Sequence, residues 1–130
     1  MNLKELFERT DRALKVKDYD TALSLASRMF KEKPDSYSVN FLLGTIFTKK
    51  ENFKQAVRFF KLAQKLEPED PGSYNNLAVV YRRLGQKGKA RHFMELAWQK
   101  APERADIAYN LGNFYKSEGE IGRASCRERV

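Results

Sequence analysis

Residues 56–68 read AVRFFKLAQKLEP, and 34 positions later residues 90–102 read ARHFMELAWQKAP. Both stretches open on alanine (Ala56, Ala90), return to it at Ala63 and Ala97, and close on proline (Pro68, Pro102). One period earlier Ala22 and Pro34 hold the same two ends, and one period later Ala124 falls in the alanine column. Three of the chain's four prolines therefore stand 34 residues apart. Upstream of each alanine the agreement continues. Leu43-Gly44 is followed by Phe47, Leu77-Ala78 by Tyr81, and Leu111-Gly112 by Tyr115.

Within a unit the apolar residues recur at spacings of three and four, as in Phe41, Leu43, Phe47 and then Phe53, Ala56, Phe60, Ala63, which is the period of two successive amphipathic helices. The spacing predicts helices over about 3–15, 19–32, 37–49, 53–66, 72–84, 87–100 and 105–117. Gly85, in Leu84-Gly85-Gln86, suits the left-handed residue that ends a helix, and Gly119 stands one period on. Asp70 is placed to cap the next helix, with Pro71 as its first residue, where a missing N–H is tolerated. The small column Gly44, Ala78, Gly112 has a packing reason. Two helices approach closely where one contributes Gly or Ala against a bulky partner, so leucine at any of the three is expected to overpack.

A helix-pair period of 34 with this order of Leu-Gly, aromatic, alanine, aromatic and proline resembles the tetratricopeptide repeat (TPR) over residues 1–120. The structural residues are Leu43, Gly44, Phe47, Ala56, Phe60 and Pro68 in the second unit. In the third they are Leu77, Ala78, Tyr81, Ala90 and Pro102, and in the fourth Leu111, Gly112 and Tyr115. Pentatricopeptide and Sel1-like repeats share the architecture, but the period and the Leu-Gly column favour the TPR. The first unit departs from the pattern, with Arg9-Thr10 in place of Leu-Gly and Ala13 in place of the aromatic, although Tyr19, Ala22 and Pro34 fit. It reads as a divergent end repeat. The resemblance implies an all-α, right-handed superhelical solenoid of antiparallel helix pairs. Its repeats would run about 3–36, 37–70, 71–104 and a truncated 105–120.

The bulk chemistry excludes several classes of function. The chain has 130 residues, 32% charged and 42% apolar, and no apolar run of bilayer-crossing length. One cysteine, Cys126, and one histidine, His92, leave neither a disulfide framework nor a zinc cluster, and no phosphate loop or nucleophile motif appears. No enzyme activity and no cofactor is expected. The start, MNLKELFERTDRALK, lacks the apolar core of a secretory signal, so a cytoplasmic location is expected if Met1 is the true start.

The last segment, residues 121–130, abandons the apolar spacing and resembles the in-frame translation of a short-read sequencing adapter. It is read as a non-native tail, with the gene expected to continue beyond it into further repeats or another domain. Without the tail, 22 basic and 16 acidic residues leave a net charge of +6. The basic residues are scattered and no recognised nucleic-acid motif is present, which argues against nucleic acid as the partner.

In the family the first helices of successive units line a concave groove, so binding candidates lie on their outward faces. Two residues before each Leu stand Phe41, Asn75 and Tyr109, with Phe7 in the same column. These rings either form apolar pockets for a peptide or partner helix, or bridge adjacent repeats. Asn76 and Asn110 resemble the asparagine ladder with which some TPR proteins hold a peptide backbone; the competing reading is bonding within the solenoid. Lys49, Lys50, Arg82, Arg83 and Lys116 end the first helices, where they can favour an acidic peptide or simply complement the helix dipole. The family's carboxylate clamp for chaperone tails is not reproduced. Its columns hold Phe7, Asp11, Gly72 and Asn76, or Phe41, Thr45, Asp106 and Asn110. The expected function is a protein-interaction scaffold holding a partner segment in the groove, the alternative being a regulatory or targeting region of a longer enzyme.

Overall fold

The computed structural model describes residues 1–128, with 120–128 described by their helix alone. Seven helices follow one another: α1 Leu3–Lys15, α2 Tyr19–Glu32, α3 Tyr37–Lys49, α4 Phe53–Leu66, α5 Pro71–Arg83, α6 Lys87–Lys100 and α7 Ala105–Glu128. Each packs on the next, so that α1/α2, α3/α4 and α5/α6 are hairpins stacked in a row and α7 closes the row against α6. The boundaries follow the sequence reading closely, with α5 beginning at Pro71 and ending at Arg83.

Repeated local chemistry makes the turns. Within each hairpin one residue adopts a left-handed conformation: Lys17 (φ 61°), Glu51 (φ 60°) and Gly85 (φ 78°), spaced one period apart. The following amide closes the helix end by donating to the carbonyl five residues back: Asp18 to Ala13 (2.8 Å), Asn52 to Phe47 (2.9 Å) and Gln86 to Tyr81 (2.9 Å). The same residue then opens the next helix. Asp18 and Asn52 accept from the backbone N–H of Thr21 and Gln55, whereas Gln86 makes no such side-chain bond. First helices are capped by Asn2, Ser36 and Asp70.

Gly119 departs from expectation. It lies inside α7, which continues past 117 to Glu128. No eighth helix follows among the described residues. Residues 129–130 of the proposed non-native tail lie outside the described residues.

The core is a chain of shared layers. The alanine column, Ala22, Ala56 and Ala90, is fully buried, as are Met29, Ala63 and Ala97. Leu43 packs in one cluster with Ala22, Ala26 and Met29 of the preceding hairpin, and Leu77 in the next with Ala56 and Phe60. In the first unit Arg9, at the Leu position, is exposed. Thr10, at the small position, is buried with its hydroxyl donating to the Leu6 carbonyl at 2.7 Å. Aromatic stacking repeats with the period: Phe47 on Phe59 (5.6 Å, 11°) and Tyr81 on Phe93 (5.5 Å, 11°).

The small column behaves as expected at two positions and differently at the third. A Cβ on Gly44 would lie 2.7 Å from the ring of the buried Phe60. Ala78 is fully buried. Gly112, expected to face a bulky partner, is exposed with nothing within 4 Å of its Cβ direction, and no helix covers it among the described residues.

Candidate groove on the first helices

Three concavities run along α1, α3, α5 and α7. The first, about 390 Å³ between α1 and α3, is apolar: Phe7, Leu14, Phe41 and Leu42 form its wall, with Asp11 and Thr45 at its edge. The second, about 220 Å³ between α3 and α5, is polar, lined by Thr45, Thr48, Lys49 and Asn76, with Phe60 at its floor. The third, about 570 Å³ between α5 and α7, holds Arg82, Arg83 and Asn110 around Val79 and Met94. Thr45 belongs to the first two, so these two adjoin.

The period explains the gradient. Leu14, Thr48, Arg82 and Lys116 share one column, so a single helical position passes from alkyl to hydroxyl to cation along the groove.

Each predicted site residue has a definite place. Phe41 is half-buried, edge-on to Phe60 at 5.5 Å and close to Tyr37 at 5.6 Å, and a Cβ on Gly72 would lie 3.3 Å from its ring. It therefore both bridges repeats and walls the first concavity. Tyr109, in the same column, is 69% exposed. The Asn110 amide donates to the Asn75 carbonyl at 3.3 Å, tying α7 to α5 through the asparagines themselves. Asn76 lines the second concavity.

The basic residues divide into two sets. Arg83 pairs with Glu51 at 3.1 Å and covers Phe53 at 4.9 Å, and Lys50 pairs with Asp20, so both join one repeat to another. Arg82 faces the third concavity with its guanidinium 5.9 Å from the Phe114 ring. Lys116 is exposed on α7. At the mouth of α7 the Arg104 guanidinium donates twice to Asp106, at 3.2 and 2.7 Å, and holds that carboxyl below its usual range. Burial raises the Tyr37 phenol beside the first concavity.

Leu14, Thr48 and Val79 also line the groove and were not singled out from the sequence. The signal was present: Leu14 and Thr48 stand seven residues after Phe7 and Phe41, on the same helix face. His92 is exposed on α6, edge-on to Phe93 at 5.3 Å. Among the described residues no group of His, Cys, Asp and Glu is placed to hold a metal, and no helix is long and apolar enough to cross a membrane.

Residues 13–78 match one tetratricopeptide repeat family model, and residues 72–101 match a second. The chain belongs to the tetratricopeptide repeat family. Among curated TPR proteins it is 27% identical over 108 residues to the tetratricopeptide repeat-containing protein trd-1 of Caenorhabditis elegans, covering 83% of this chain. It is 27% identical over 113 residues to the mouse interferon-induced protein with tetratricopeptide repeats 3, covering 85%. It spans only 14% and 24% of the lengths of those relatives. Among solved structures, the Sgt2 TPR domain from Aspergillus fumigatus superposes with a TM-score of 0.84 at 14% identity, covering 92% of this chain and 81% of that one. The first TPR of Spaghetti (RPAP3), bound to the HSP90 peptide SRMEEVD, does so at 0.81 and 16%, covering 88% and 90%. These likenesses establish the fold; TPR domains are in general protein-interaction modules.

Proposed function

We propose that this TPR module holds an extended segment of a partner protein along α1, α3, α5 and α7. A bulky apolar side chain sits in the Phe7–Leu14–Phe41–Leu42 concavity and carboxylates meet Arg82 and Lys116. The observation that carries this reading is the change from apolar to polar to cationic lining over the three concavities along the first helices. A relative of the same fold holds an acid-rich peptide. Here the clamp columns carry different residues, so the recognition chemistry differs. The asparagine ladder supplies the backbone contacts in this reading: Asn76 faces the segment, while Asn110 is held by Asn75.

Neighbouring packed helices lie roughly 8–10 Å apart, so the first and third concavities are separated by roughly 20 Å. An extended chain rising about 3.3 Å per residue spans that distance in about six residues. The test uses fluorescein-labelled peptides carrying one Leu and a Glu-Glu pair about six residues away, in both orders. Wild type is expected to bind one order, with affinity falling as salt rises. Arg82→Glu with Lys116→Glu weakens binding at least about tenfold, equivalent to about 1.4 kcal/mol. Asn76→Ala with Asn110→Ala abolishes it while the helical circular dichroism stays intact. Binding unchanged in both double variants would sink the groove reading.

A second reading, that this module is the regulatory or targeting part of a longer enzyme, draws on the small fraction of its curated relatives that the chain spans. Recovery of a full reading frame that stops within one further repeat would eliminate it.

A further inference from the structure

The middle concavity, about 220 Å³ between α3 and α5, is the smallest of the three along the first helices, and its hydrogen-bonding groups have a definite sense. Thr45 and Thr48 stand three residues apart on one face of α3, and both are half-buried. A threonine hydroxyl has one proton to donate and two lone pairs with which to accept. Both protons are already placed. Thr45 Oγ1 donates to the Phe41 carbonyl at 3.0 Å, and Thr48 Oγ1 donates to the Gly44 carbonyl at 2.8 Å. What the two hydroxyls offer to the concavity is therefore acceptor capacity. Lys49, also on its wall, is the opposite, since an ammonium only donates. The same column is used by the fold in the neighbouring units, where Lys15 pairs with Asp11 at 3.2 Å and Arg83 with Glu51 at 3.1 Å. Lys49 has no ion pair among the described residues. The floor is Phe60, only 1% exposed, so a side chain that reaches it leaves water behind.

We infer that this concavity reads a carboxamide side chain, glutamine or asparagine, at the centre of the bound segment. The inference rests on the groove reading above and adds a third selective position to it. A carboxamide NH₂ carries two donors, one for each threonine oxygen, and its carbonyl accepts from Lys49. Asn76 remains for the segment's backbone. Each other class of long side chain leaves a group unmatched. A carboxylate suits Lys49 but sets acceptor against acceptor at both threonines. Lysine or arginine suits the threonines but sets a second cation beside Lys49. An aliphatic side chain covers two acceptors without replacing the water they lose, and a polar group buried without a partner is costly. The repeat places this position in the segment. Thr48 lies between Leu14 and Arg82 in one column, so the carboxamide stands between the bulky apolar residue and the acids, about three residues from each.

The probes are fluorescein-labelled peptides with one Leu, a Glu-Glu pair about six residues away and alanine elsewhere, in both orders, titrated with the full chain. Glutamine, asparagine, glutamate or leucine replaces alanine at each central position in turn. Glutamine or asparagine at one of these positions is expected to tighten binding about tenfold over the alanine-centred peptide, or about 1.4 kcal/mol, and glutamate and leucine to give no gain. In the Thr48→Val protein, which keeps the side-chain shape and lacks the hydroxyl, the gain falls to about threefold or less, while the alanine-centred peptide binds as it does to wild type. Thr48→Ser restores it. Circular dichroism checks that both variants keep their helices. The alanine-centred peptide reports on the groove reading, and the ratio of carboxamide to alanine binding reports on this one. No gain at any central position overturns the inference, as does an equal gain from glutamate or leucine, or a gain undiminished in Thr48→Val. Failure of every peptide to bind overturns both readings.

Discussion

Replacing glycine by alanine at two positions of one repeat column should change stability in opposite directions. In a helix interior the substitution Gly→Ala is worth up to about 1 kcal/mol, because glycine pays more backbone entropy on folding. Gly112 has nothing within 4 Å of its Cβ direction, so Gly112→Ala should collect that gain. At Gly44 the new methyl would lie 2.7 Å from Cδ1 and Cε1 of Phe60 and 2.9 Å from Cγ. Phe60 is itself only 1% exposed and held edge-on by Phe41 at 5.5 Å, so its ring cannot swing clear. Forcing a methyl into a packed core costs about 1–3 kcal/mol, which exceeds the helix gain. Gly44→Ala is therefore expected to be destabilising by up to about 2 kcal/mol, and Gly112→Ala to be stabilising by up to about 1 kcal/mol. Urea unfolding followed by circular dichroism reads both as shifts of midpoint at constant slope. Equal stabilisation by the two variants would refute the argument that α4 closes on α3 through Gly44.

Gln86 stands in the column where Asp18 and Asn52 cap α2 and α4 but makes no capping bond itself. Gln86→Asp is expected to stabilise by about 1 kcal/mol in thermal unfolding. Lys17 is exposed and left-handed at φ 61°. Removing a left-handed side-chain penalty of about 1–2 kcal/mol, less the added chain entropy of glycine, leaves a gain of up to about 1 kcal/mol for Lys17→Gly by urea midpoint. The Asp18 carboxyl is held below its usual range by hydrogen bonds from the Thr21 hydroxyl and then the Thr21 amide. A depressed carboxyl contributes stability above its unfolded value that is lost as pH falls through the folded one. Asp18→Asn should therefore narrow the stability difference between neutral and acidic solution, and an unchanged difference would contradict the cap's role.

The hairpins were legible because each relies on features that sequence spells out: the proline spacing, the alanine column, and cap residues such as Asp70 in front of Pro71. Two failures share one cause. Gly112 and Gly119 hold the residues that precede a second helix, and a column identity says nothing about whether that helix is present. Their expected surroundings were properties of a neighbour rather than of the glycines. In the first unit the departures from the column pattern are likewise local: Arg9 at the Leu position is exposed, and Thr10 at the small position is buried. In the groove, sequence located Phe41, Asn76 and Arg82 but left Phe41 ambiguous between packing and binding. The structure places the ring edge-on to Phe60 and along the wall of the first concavity, an arrangement that depends on tertiary packing. The separation of Arg82 from Arg83 also depended on tertiary structure, because Glu51, the partner of Arg83, lies 32 residues away.

The most direct test of the account is an amide chemical-shift map of the ¹⁵N-labelled chain titrated with the Leu/Glu-Glu peptide. The account predicts saturable shifts running through Asp11, Thr45, Asn76 and Arg82 on the first helices, with Arg58, Lys65 and Arg91 on the second helices unmoved. Shifts concentrated on the second helices, or confined to one concavity without the other, would contradict a segment held along the length of the groove.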